Sequence, residues 1–260
     1  MEFLTEYGVF LAKTITVVIA VMLILAAAAS AALKGKKPEA KEMLIEKLND
    51  KFNDVKHVLE ESMLDKEHLK AHKKEEKKKL KAEKSDAKIE EKKRVFVLNF
   101  EGDIKASAVE GFREAVTATL QIADPKRDEI VVKLESAGGM VHSYGLASAQ
   151  LDRIKKKGIK LTACVDKVAA SGGYMMACVA DQIIASPFAI MGSIGVVAQL
   201  PNFSKVLKKN DIDYEILTAG KYKRTLTMFG ENTDEGREKF MTDLEDTHEL
   251  FKSYVSERRP

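Results

Sequence analysis

Residues 94–260 predict an α/β domain built on a largely parallel sheet or on stacked βα turns. Three observations predict it. Short apolar runs alternate with longer amphipathic ones, two Gly pairs each follow a predicted strand, and no internal repeat is present.

The elements are taken in chain order. Residues 1–37 read as a membrane anchor. Thr14 to Leu33 is a run of twenty residues without charge. At roughly 1.5 Å per residue, a helix of that length matches a hydrocarbon core of roughly 30 Å. A cleaved signal peptide competes with this reading, because AAAASAA offers small residues for cleavage. The first twelve residues, however, hold Glu2 and Glu6 and no Lys or Arg, and the apolar run is long for a signal peptide, so an uncleaved single-pass helix is favoured. Lys34, Lys36 and Lys37 follow the run, which by the positive-inside rule places the bulk of the chain in the cytoplasm.

Residues 38–93 read as a charged helical spacer. Leu44, Leu48, Phe52, Val55, Leu59 and Met63 recur at steps of three and four and describe one helical face. Lys70 to Lys93 holds eleven lysines and six acidic residues, too few apolar groups to build a core. A solvated helix or flexible spacer is the simplest reading; binding to anionic lipid or to a partner is the other.

From Arg94 onward the alternation begins. RVFVLNF (94–100) is a strand and SAVEGFREAVTATLQIA (107–123) an amphipathic helix. DEIVVKLES (128–136) is a strand, and VHSYGLASAQLDRIKKK (141–157) a helix closed by Gly158. IKLTACV (159–165) is a strand, with a helix after Ser171. DQIIASP (181–187) and IDYEIL (212–217) read as further strands, and a long polar helix runs from about 233 to 255.

A chain of 260 residues holds one sizeable core and something extra, and its net charge of +3 argues against a nucleic-acid binder. Cys164 and Cys178 sit in apolar runs and read as buried free thiols. No CxxC or His-rich spacing suggests a metal site.

The chemistry gathers in three places. AASGGYMMA (169–177) sets Ser171 and two glycines between an apolar strand and a helix start, a turn that exposes a hydroxyl beside backbone N–H groups. LESAGGMV (134–141) is a second Gly pair after a strand. Backbone N–H groups at Gly138 and Gly172 suit an oxyanion hole, although each Gly pair alone also fits a tight turn or close packing. A serine hydroxyl needs a base. His142, three residues after Gly139, is one candidate. Lys221 and Lys223 of TAGKYKRTL (218–226) are others, since a lysine works as a base when burial disfavours its charged form. On spacing alone, a surface lysine is the commoner outcome for both.

LESAGGMVHSYG, VDKVAASGGYMMACVADQIIASPFAIMGSIGVV (165–197) and TAGKYKRTLTMFGENTDEGREKF together resemble the signal peptide peptidase (SppA/SohB) family of membrane-anchored serine proteases. The similarity covers the whole chain. It implies a ClpP/crotonase-like peptidase domain over 94–260, using a Ser-Lys dyad and no cofactor or metal. Ser171 matches the family nucleophile, Lys223 the general base, and Gly138 the oxyanion glycine, with the Gly172 N–H as second donor. Ala137 stands where many relatives have Pro. The resemblance further implies substrates such as signal-peptide remnants or membrane-protein fragments, attachment to the lipid bilayer through the N-terminal helix, and a homo-oligomer. It places the chain in a bacterial inner membrane with the catalytic domain on the periplasmic side, against the lysine asymmetry. Family chains continue past the point where this sequence stops, so its C-terminus reads as truncated. Two rivals from other classes are a crotonase-like acyl-CoA enzyme and a non-catalytic membrane scaffold.

Overall fold

The computed structural model describes residues 7–22, 43–65, 68–70, 73–75, 78 and 92–260. The chain divides into two units, Met1–Lys56 and His57–Pro260. In the first, residues 7–22 are helical and exposed. The span expected over 14–33 is therefore helical as far as Met22, and its remainder lies outside the described residues. Among the described residues no helix is long and apolar enough to cross a membrane. The helix Leu48–Met63, which runs across the division, buries none of its residues. Most of the lysine-rich stretch lies outside the described residues.

The α/β region begins at β1 (Val95–Gly102) and continues through α1 (Val109–Ile122), β2 (Glu129–Ser136), α2 (Val141–Lys156), β3 (Lys160–Val165), β4 (Val168–Ala170) and α3 (Gly172–Ala177). It closes with β5 (Gln182–Ala185), β6 (Ile190–Gly192), α4 (Ser204–Lys209) and α5 (Asp234–Ser256). Every strand pair is parallel. β2 pairs with β1 from Glu129↔Val95 to Ser136↔Gly102. Its other edge is shared. Glu129–Lys133 pairs with β3, and Ser136 alone pairs with Ala169 of β4. β3 then leads to β5 and β4 to β6, so the sheet forks at the C-terminal end of β2. The Gly138 turn starts at that fork.

Alternation along β2 explains its place at the centre. Ile130, Val132, Leu134 and Ser136 all point inward and are buried. They meet Phe112 and Val116 of α1 and Tyr144, Leu151 and Ile154 of α2 in one core. Tyr144, Ala147, Ser148, Leu151 and Ile154 recur at helical spacing, which is why α2 lies flat on the sheet. Fully burying one Leu or Ile side chain contributes about 1.5–3 kcal/mol. Where β2 begins, the buried Asp128 carboxylate receives Arg94 Nε at 3.1 Å and Nη2 at 2.6 Å, together with the Asp124 N–H at 2.7 Å. The Arg94 hydrogen bond, above all, holds the Asp128 carboxyl down at about 2. Lys93 and then Thr162, hydrogen-bonded to Glu129, hold that neighbouring carboxyl at about 2 as well.

Two expectations are corrected. Residues 212–217 form no strand; they are exposed and have no regular structure, because no sheet edge reaches them. β4 and β6 are strands of three residues that the sequence pattern did not signal. Both cysteines are free, Cys178 buried and Cys164 only half-buried.

Candidate active site

Ser171 sits between β4 and α3 with its backbone at φ 50° and ψ −118°. A non-glycine residue held there stores about 1–3 kcal/mol of strain. The position is fixed on both sides: the Ser171 N–H donates to the Gly192 carbonyl at 2.7 Å, and its own carbonyl accepts the Met175 N–H at 2.9 Å. The Ser171 side chain makes no capping hydrogen bond. It is partly exposed at the edge of a small cavity shared with Gly139, Val141, Gly172, Met175, Gly195, Val196, Thr247 and Phe251. The walls are apolar apart from Thr247 and the serine itself.

The structure brings the Gly138 turn against Ser171. A Cβ on Gly138 would stand 2.6 Å from the Gly172 nitrogen and 2.7 Å from Ser171 Cβ, and φ is +89°. Only glycine fits there. Its N–H, however, is committed elsewhere: it donates to Ser136 Oγ at 3.0 Å. The N–H expected to serve as an oxyanion donor is thus directed at Ser136 Oγ in this structure. The next N–H, that of Gly139, has no acceptor among the described residues and lies on the cavity. Gly139 has no room for a side chain, because a Cβ there would stand 2.1 Å from the Ile104 carbonyl oxygen. The Gly172 N–H, as expected, also has no acceptor among the described residues. Gly172 packs directly on the Tyr144 ring, and a Cβ at that position would lie 2.3 Å from Tyr144 Cγ.

Among the described residues no base is assembled beside Ser171. Lys223 closes a turn in which its N–H donates to the Gly220 carbonyl at 3.2 Å, with Gly220 at φ +102°. Its side chain is exposed, is absent from the cavity wall and makes no hydrogen bond to Ser171. The physical reason lies in the segment that carries it. Residues 197–224 are almost wholly exposed, and the loop is tied down at its ends, by Asn202 Nδ2 to the Thr227 and Gly230 carbonyls and by Asn232 to Thr227. Lys221 is the weaker candidate. Its amine pairs with Glu235 at 2.7 Å, and that hydrogen bond raises it further above the ordinary lysine range, opposite to what a base needs. His142 is exposed and does not line the cavity.

Thr247 and Phe251, from α5, were missed by sequence reasoning. That helix read as polar and solvated, yet Phe251 is buried against the site. Phe240, Leu244, Phe251 and Val255, spaced four, seven and four apart along the helix, were the available signal.

The chain matches the profile described as peptidase family S49 N-terminal over residues 2–151, and that of peptidase family S49 over residues 153–260. It belongs to peptidase family S49. This S49 peptidase is 54% identical over 261 residues to the probable protease SohB of Buchnera aphidicola subsp. Acyrthosiphon pisum, covering 100% of this chain and 76% of that protein. It is 46% identical over 269 residues to the probable protease SohB of Haemophilus influenzae, again covering 100% of this chain and 76% of the relative. Among solved structures, a membrane-bound stomatin-specific protease in complex with a substrate peptide is 21% identical, with 45% of this chain and 50% of that one covered at a TM-score of 0.32, a likeness too loose to build on.

Proposed function

We propose that this S49 peptidase is a membrane-anchored serine endopeptidase. Ser171 is the nucleophile, Lys223 the general base, and the N–H groups of Gly139 and Gly172 the oxyanion donors. The observation that carries the reading is the strained turn at Ser171, whose side chain lies on a cavity beside two N–H groups that have no acceptor among the described residues. Lys223 takes the hydroxyl proton as Ser171 Oγ attacks the scissile carbonyl. The oxyanion is received by the two N–H groups, each worth about 3–4 kcal/mol in the transition state. Lys223 returns the proton to the leaving amine, and the C–N bond breaks. Water then attacks the acyl ester with Lys223 again as base, which releases the carboxylate and restores Ser171.

The dyad requires the turn Gly220–Lys223 to close over the cavity and exclude water. The match of the Gly-x-x-Lys pattern to the family supports Lys223, and the Glu235 pair on Lys221 speaks against its neighbour. The ClpP/crotonase-like fold is supported by the forked parallel sheet with the site at the fork. The apolar wall of Val141, Met175, Val196 and Phe251 suits apolar peptides, such as signal-peptide remnants or fragments of membrane proteins. The charge-free run Thr14–Leu33 supports a single-pass inner-membrane anchor, with the peptidase domain on the periplasmic side as in the family. No feature of the site favours acyl-CoA chemistry.

The test is cleavage of an internally quenched apolar peptide by the full chain in detergent. Ser171→Ala and Lys223→Ala are each expected to lower kcat by about 10³-fold or more, while Lys221→Ala stays within about twofold. Unchanged turnover in Ser171→Ala would overturn the reading.

A further inference from the structure

We propose that Ser136 and Tyr144 are positioning residues that together set the spacing of the two oxyanion donors around Ser171; the inference rests on the serine-peptidase reading and deepens it. Both are buried, at 2% and 0% exposure, inside a core otherwise made of groups such as Phe100 and Leu134. Buried hydroxyls are costly unless every one is satisfied. Here they form a chain. The Gly138 N–H donates to Ser136 Oγ at 3.0 Å, Ser136 Oγ and Tyr144 Oη lie 2.5 Å apart, and Tyr144 Oη donates to the Asp103 carbonyl at 2.6 Å.

The direction of this chain is fixed by its ends. A backbone N–H only donates and a carbonyl only accepts, and each hydroxyl has one hydrogen. Tyr144 spends its hydrogen on Asp103, so the Ser136 hydrogen turns to Tyr144 Oη, with the Gly102 carbonyl at 3.2 Å as the longer alternative. Burial pushes the Tyr144 phenol above its ordinary range, which keeps it a neutral donor. The chain joins the C-terminal ends of β1 and β2, the first turn of α2 and the Gly138 turn.

Tyr144 acts at both donors. Its hydroxyl fixes the Gly138 turn through Ser136, while its ring lies directly beneath Gly172. The Gly139 N–H follows in that same turn, and the Met140 N–H to the Ile104 carbonyl, at 2.8 Å, pins the far side. Without the Ser136 acceptor, the Gly138 peptide is free to turn its N–H toward the cavity, and the Gly139 donor swings away with it.

The experiment measures kcat and KM on the quenched peptide, and the rate of fluorophosphonate labelling of Ser171, for the full chain in detergent. Tyr144→Phe keeps the ring under Gly172 and removes only the hydroxyl; it is expected to lower kcat by about 10-fold with KM within about twofold. Ser136→Ala removes the acceptor and is expected to lower kcat by about 100-fold, the size of losing one oxyanion donor. The double variant should be no slower than Ser136→Ala, since both changes break one chain. A labelled parent with both single variants folded and equally fast would overturn the pair alone. So would lowered Tm with unchanged kcat, the outcome of a purely structural role. A parent that labels nowhere would overturn the serine reading and the pair with it.

Discussion

At the scale of single residues, the site is defined by atoms that are absent. Gly138 approaches Ser171 and Gly172 so closely that no side chain fits. Gly138→Ala, which also forces a Cβ onto a positive φ, should lower kcat by about 100-fold or more, because the donor cradle must open to admit it. Gly111, on α1 and not on the cavity wall, also has nothing within 4 Å of an added Cβ, so Gly111→Ala is the matched control, expected to retain most activity. Steady-state kinetics on the two variants decide this. The first Gly pair was legible in the sequence because it follows the apolar strand β2, and Ser171 because its Ser-Gly-Gly run interrupts an apolar stretch. Which N–H is free was not legible. That depends on Ser136 Oγ capturing the Gly138 N–H, a contact set by the inward phase of β2. The phase itself was readable, since Ile130, Val132, Leu134 and Ser136 alternate, and a serine on the core side of a strand signals a required partner.

At the scale of elements, the sequence located those long enough to show a period. β1, β2, β3, α1, α2 and α5 begin and end within a few residues of expectation. β4 and β6, of three residues each, are too short to alternate, and they exist only because the end of β2 offers an edge to Ala169. Residues 212–217 have the composition of a strand but no such edge. The start of β2 carries an acid-sensitive clamp. Asp128 and Glu129 are held at about 2, below the ordinary carboxylate value of about 4. A depressed carboxyl contributes stability that is present above about pH 4 and is lost as pH falls through about 2. Asp128→Asn should therefore lower stability at pH 7 and make the loss between pH 4 and 2 shallower. Urea unfolding across that range reads both effects, and an unchanged acid limb would remove Asp128 from the account.

At the scale of the whole molecule, the site draws on parts far apart in sequence. Ser171 comes from the turn between β4 and α3, Gly139 from the turn after β2, Phe251 from α5, and the proposed Lys223 from an exposed loop. Such convergence is tertiary and has no local signature, which is why Thr247 and Phe251 escaped sequence reasoning. Large apolar side chains also stay exposed in the region after β5: Phe188 at 96%, Val197 at 80% and Leu217 at 91%. We propose that the homo-oligomer implied by the family resemblance covers Phe188, which is exposed here. Sedimentation of the detergent-solubilised chain should report an oligomer that Phe188→Glu weakens; a monomer in both would remove it.

The central claim is that Ser171 is a nucleophile activated by its surroundings. The most direct measurement is to treat the full chain in detergent with a fluorophosphonate and to locate the adduct by peptide mass spectrometry. One adduct is expected, on the peptide bearing Ser171, and none in Ser171→Ala. An adduct on another residue, or none on the parent chain, would contradict it.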